Sequence, residues 1–104
     1  MAGIGRGTTP TNTFSVDVDL RDAEVVYLTY KQGSKITLEK EKGDLEIDED
    51  EVRVYLTQEE TLALKFGGNT PVRMQFRARY ADGNAIKSNI MQATVEEILK
   101  DGVI

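Results

Sequence analysis

The chain contains no cysteine, which excludes a disulfide framework and any thiolate nucleophile or ligand. It contains no histidine, which removes the commonest general base and the commonest transition-metal ligand. It is short of positive charge: 13 Lys and Arg stand against 18 Asp and Glu, a net −5. Such a chain repels nucleic acid phosphates unless its basic residues are segregated, so no nucleic acid partner is expected. No apolar run approaches the roughly 18–20 residues needed to cross a bilayer, so no membrane partner is expected either. The first ten residues lack the apolar core of a secretory signal. Ala2 stands where N-myristoylation needs glycine. No nucleophile elbow, P-loop, GxGxxG or metal-ligand spacing is present. An enzyme is therefore not expected, and no catalytic residue, cofactor or metal site is assigned.

What remains is a 104-residue chain, 39% hydrophobic and 30% charged, suited to one globular domain. Its strongest local signal is a β-hairpin over 71–95. Val72, Met74, Phe76, Ala78 and Tyr80 alternate with Arg73, Gln75, Arg77 and Arg79. A period of two sends the first set to a core and three guanidinium groups to the opposite face. The turn at Asp82-Gly83 is expected to take Asn84 as a third residue, with Gly83 or Asn84 left-handed, because that pairs Tyr80 with Ile86 and Phe76 with Ile90. On the return strand Ile86, Ser88 and Ile90 are even, whereas Met91, Ala93 and Val95 are odd. That change of parity predicts a bulge or kink within 88–92.

Elsewhere, residues 1–12 are glycine-rich and then Thr-Pro-rich, and read as a flexible or docking N-terminal arm. Residues 13–104 read as a single β domain. Its first strand, 13–20, has Phe14, Val16, Val18 and Leu20 on one side. A central strand over 24–31 turns at Gln32-Gly33-Ser34 into a strand with Ile36 and Leu38 inward. Leu45 and Ile47 form a short strand, an acidic loop follows at 48–51, and Val52, Val54 and Leu56 share one face of the next strand. Thr57-Gln58-Glu59-Glu60 matches a capping box, so a single helical turn is expected at about 57–62. Leu62, Leu64 and Phe66 resume a period of two, Gly67-Gly68-Asn69 ends that run, and 96–100 reads as strand continuation with a helical turn as the alternative. The fold class is all-β: an antiparallel two-sheet, Ig-like β-sandwich with one capped turn, with a small β-barrel as runner-up.

Two features could carry chemistry. The acidic stretch 44–51 fails the EF-hand pattern, since Glu49 replaces the glycine, and reads as a solvated loop. Arg73, Arg77 and Arg79 could grip phosphate, an acidic sugar or a carboxylate-rich partner, or could pair with acids on adjacent strands.

The segments Arg6-Gly7-Thr8-Thr9-Pro10-Thr11 and Leu56-Thr57-Gln58-Glu59-Glu60-Thr61, with Val72 to Arg79, Asp82-Gly83 and Ser88, resemble a family of small prophage-encoded proteins of Gram-positive bacteria. These lie among virion structural genes. The resemblance implies a phage structural, tail or baseplate component that works by self-association and contacts with other phage proteins. It implies the host cytoplasm during assembly, and the virion, as locations. That family often has His after the Thr-Pro-Thr segment; here the position is Asn12, which bears on any role needing an imidazole. The candidate contact surface is Arg73, Arg77 and Arg79 with Thr8, Thr9 and Pro10. The alternative function is a small glycan- or cation-binding module.

Overall fold

The computed structural model describes residues 3–66 and 71–104. It is mostly β, with antiparallel sheets packed together as a sandwich and a single short helix. In chain order the elements are β1 Ile4–Gly5, β2 Thr11–Ser15, β3 Val25–Gln32, β4 Lys35–Glu41, a 3-10 turn at Lys42–Asp44, β5 Leu45–Ile47 and β6 Glu51–Tyr55. Helix α1 Gln58–Leu62, β7 Val72–Arg79, β8 Ala85–Lys87, β9 Met91–Ala93 and β10 Val95–Glu96 follow. The larger sheet runs β4-β3-β7-β8, with β9 also on β7; the smaller runs β2-β6-β5. β1 and β10 pair in parallel, apart from the two antiparallel sheets.

The alternation predicted for β7 holds. Val72, Met74, Phe76 and Ala78 are buried against Val26, Leu28 and Tyr30 of β3 and Phe14, Val52 and Val54 of the smaller sheet. Each such side chain contributes about 1.5–3 kcal/mol by leaving water. Phe14 meets Phe76 edge to face, with centroids 5.2 Å apart at 87°, which seats β2 over β7. A buried polar contact crosses the same gap: Asn12 Nδ2 donates to Tyr30 Oη at 2.7 Å. Burial pushes the Tyr30 phenol up to about 12. Asn12 is thus a structural link between the sheets.

The capping box forms as expected. Glu60 N donates to Thr57 Oγ1 at 3.2 Å, and Thr57 N donates to Glu60 Oε1 at 2.9 Å. Glu60 also pairs with the Lys40 ammonium of β4. Burial raises the Glu60 pKa, but Lys40 and the Thr57 amide outweigh it and leave it lowered.

Several expectations are corrected. The segment read as an arm packs on its own chain: Ile4 is 1% exposed, and its amide donates to Thr94 O at 2.7 Å. Arg6 Nε and Nη2 donate to Leu64 O and Leu62 O at 2.8 and 3.1 Å, taking up carbonyls at the end of α1. The first strand stops at Ser15, so Val18 is exposed rather than inward. A register shift at Tyr30/Lys31 turns Ile36 outward opposite Lys31, leaving Leu38 half-buried on the inner face. Leu62 ends α1, and 64–66 form no strand; Gly67-Gly68-Asn69 lies outside the described residues. The hairpin loop has three residues, but they are 81–83. Tyr80 N donates to Asn84 O, Ala78 opposes Ile86, and Gly83 takes φ +88. The ladder then slips by one residue between β8 and β9, within the interval predicted, and leaves Ile90 exposed. Beyond Glu96 the chain is neither strand nor helix.

Two stability outcomes follow. Ile4→Ala should cost about 2–5 kcal/mol in urea denaturation, where a free arm would register almost nothing. Tyr30→Phe should cost about 1–3 kcal/mol, because it strands the buried Asn12 amide.

Candidate functional site

Seven cross-strand pairs join β3 to β7, and they fix what the outer face of the larger sheet displays. Tyr27 lies opposite Arg77, Val25 opposite Arg79 and Lys31 opposite Arg73. Arg77 is flanked on its other side by Lys87. The two central strands therefore carry only cations and neutral residues outward, while Glu39 and Glu41 stand on β4 at one edge. Tyr27 and Ile36 remain 38% and 54% exposed on this face.

The three arginines differ. Arg79 Nη2 lies 3.3 Å from Glu24 Oε1, an exposed pair of small energetic weight. Arg73 Nη2 donates to Gly33 O at 3.3 Å. Arg77 has no ion pair or side-chain hydrogen bond among the described residues. Val25, Tyr27, Arg77, Arg79 and Ala85 line a shallow depression of about 210 Å³. An aromatic ring beside two guanidinium groups suits a carboxylate-bearing side chain or another planar anion.

Thr8, Thr9 and Pro10 do not join this face. Thr8 O accepts from the buried Thr61 hydroxyl at 2.9 Å, and Pro10 O accepts from Leu56 N at 3.1 Å, which seats the segment on α1 and β6. The Thr8 and Thr9 side chains are exposed, though Thr8 Oγ1 turns back to Gly5 O at 2.7 Å.

Three of the six acids of 44–51, Glu46, Asp48 and Glu51, gather around a cation of their own sheet. Arg53 reaches Asp48 at 2.6 Å, Glu51 at 2.9 Å and Glu46 at 3.4 Å. These bonds raise the Arg53 pKa, Asp48 contributing most. The Tyr55 hydroxyl and then Arg53 lower the Glu46 pKa. Among the described residues no group of three or more Asp or Glu is arranged to hold a metal ion.

A second concavity was not anticipated. A cleft of about 380 Å³ opens at the C-terminal end of β2, where Val16, Val18, Leu20, Phe76, Ala78, Ile86 and Met91 form the apolar part of its wall. Val18 is 45% exposed in that wall, and Ile90, between the lining residues Asn89 and Met91, is 55% exposed. The parity change near Ile90 was the sequence signal for it, since a slipped ladder leaves the facing sheet incompletely covered.

No protein family, curated protein or solved structure matches the chain significantly.

Asp19 supplies a pH test. Arg21 meets its carboxylate through side chain and backbone, at 2.7 and 2.9 Å, and holds its pKa down to about 2. A depressed native pKa gives a contribution present above the unfolded value and lost as pH falls through the folded one. Carboxyl-detected NMR should show Asp19 titrating near pH 2, and Arg21→Ala should return it toward the ordinary aspartate range.

Proposed function

We propose that this chain is a non-enzymatic phage structural protein, a tail, baseplate or accessory component that works by self-association and contacts with other phage proteins. The motif resemblance at 6–11 and 56–61 supports the phage context. The outer face of the larger sheet supports the mode of action: an unpaired Arg77 beside the exposed Tyr27, with Ile36 on the same face. Tyr and Arg are enriched where protein interfaces concentrate their energy, and a desolvated guanidinium–carboxylate pair contributes more there than on an open surface. The expected partner surface carries carboxylates.

A second reading is a binding module for an acidic glycan, favoured by the depression that puts the Tyr27 ring beside Arg77 and Arg79. Cation binding is less favoured, because Arg53 already engages Glu46, Asp48 and Glu51, half of the acids that would supply ligands.

Particles purified after induction of a lysogen carrying this gene discriminate between these readings. The chain should be found in them at fixed stoichiometry, and Arg77→Glu should lower incorporation about tenfold or more while leaving the isolated protein's melting temperature unchanged. Absence from particles, together with hits for acidic sugars on a glycan array that Arg77→Glu abolishes, would favour the second reading.

A further inference from the structure

The outer strands of the two sheets are not equally protected against pairing with another chain. β4 carries Lys35, Glu39, Lys40 and Glu41, and its ladder is irregular. β5 has three residues, with Glu46 at its centre and Asp48 to Asp50 after it. β8 and β9 have three residues each and are broken apart at 88–90, and Lys87 adds a charge to β8. Charges, brevity and irregular ladders are the usual means of blunting an edge. β2 uses none of them. Its sequence, Thr11-Asn12-Thr13-Phe14-Ser15, has no charge and no proline, and its five pairs with β6 are regular.

The direction of its free groups can be worked out. Val16 N donates to Asp50 O and Pro10 O accepts from Leu56 N, so even-numbered residues bond to β6. Alternation points the amides and carbonyls of Thr11, Thr13 and Ser15 at the open side. At the Ser15 end of β2 the sandwich is unfinished: the 380 Å³ cleft is lined there by Ser15, Val16 and the exposed Val18.

We infer that β2 is a strand-addition site whose occupant is β2 of a second copy of this chain, joining the two smaller sheets into one across a two-fold axis. An isologous pair demands a self-complementary edge, and β2, five residues with a regular ladder and no charge, meets its own copy without opposing like charges. A two-fold axis at Thr13 sets Thr13 against Thr13 of the second copy and Thr11 against its Ser15, with about six backbone hydrogen bonds. It also brings Pro10 of the second copy beside Val16, at the cleft. This deepens the self-association part of the reading above, but it uses a different surface from the Arg77 face.

Sedimentation velocity over a concentration series tests it. The wild type should show a concentration-dependent dimer. Thr13→Pro deletes an amide that faces away from β6, so it should weaken the dimer about tenfold or more while far-UV circular dichroism is unchanged. Ser15→Lys, which adds a charge to the edge, should do the same and decides the matter if Thr13→Pro does not fold. Thr13→Ala keeps the amide and should keep the dimer. A wild type that is monomeric throughout overturns the inference, as does a dimer insensitive to both Thr13→Pro and Ser15→Lys. Either result leaves particle incorporation through Arg77 standing, and absence from particles would not remove a β2-dependent dimer.

Discussion

The register of β7 against β3 is the constraint on which the rest of the molecule depends. Their seven pairs put Leu28 beside Phe76 and Tyr30 beside Met74 on the inner face. A slip of one residue would send those side chains to water and bring Arg73, Arg77 and Arg79 into the core. Burying three unpaired guanidinium groups costs far more than any local preference could recover. The core and the basic outer face are therefore one decision, made by the period of two in a single strand. The edge-to-face contact of Phe14 on Phe76 then positions the smaller sheet, and the Asn12–Tyr30 hydrogen bond fixes it laterally.

Around that fixed pair, small irregularities shape the surface. The shift at Tyr30/Lys31 turns Ile36 outward, beside the cationic face. The slip between β8 and β9 reconciles Ile86 with Met91 and Ala93, at the expense of an exposed Ile90 and a cleft. Neither change disturbs the β3–β7 pairing. Exposed Ile36 and the cleft thus arise where the ladders depart from regularity, whereas the Arg77 face and the β2 edge belong to ladders that stay regular.

Features governed by local chemistry were legible in the sequence. The capping box, the β7 alternation, the Gly33 and Gly83 turns and the bulge interval each rest on a few adjacent residues, and each formed. Features set by tertiary partners were not. Glycines at 3, 5 and 7 suggested a loose arm, yet Ile4 and Arg6 find distant partners in β10 and in α1 with its following turn. Leu64 is buried without a strand to carry it, because the capped turn delivers it to the core. Val18 fitted an alternating pattern that ended three residues earlier, and only the position of β6 decides where that end falls. The arginines were assigned to the right face, but which of them keeps a free guanidinium depends on Glu24 and Gly33 across the sheet. The lack of protection at β2 was readable in principle, since it is a matter of composition, but only after the topology showed that β2 is an outer strand.

The claim at the centre of this account is that the chain presents itself to a copy of itself by an open strand edge. Amide hydrogen exchange at Thr13, compared between dilute and concentrated protein, addresses it most directly. Protection of Thr13 that grows with concentration, while β4 edge amides stay unchanged, is the predicted result. Rapid exchange of Thr13 at every concentration would contradict it.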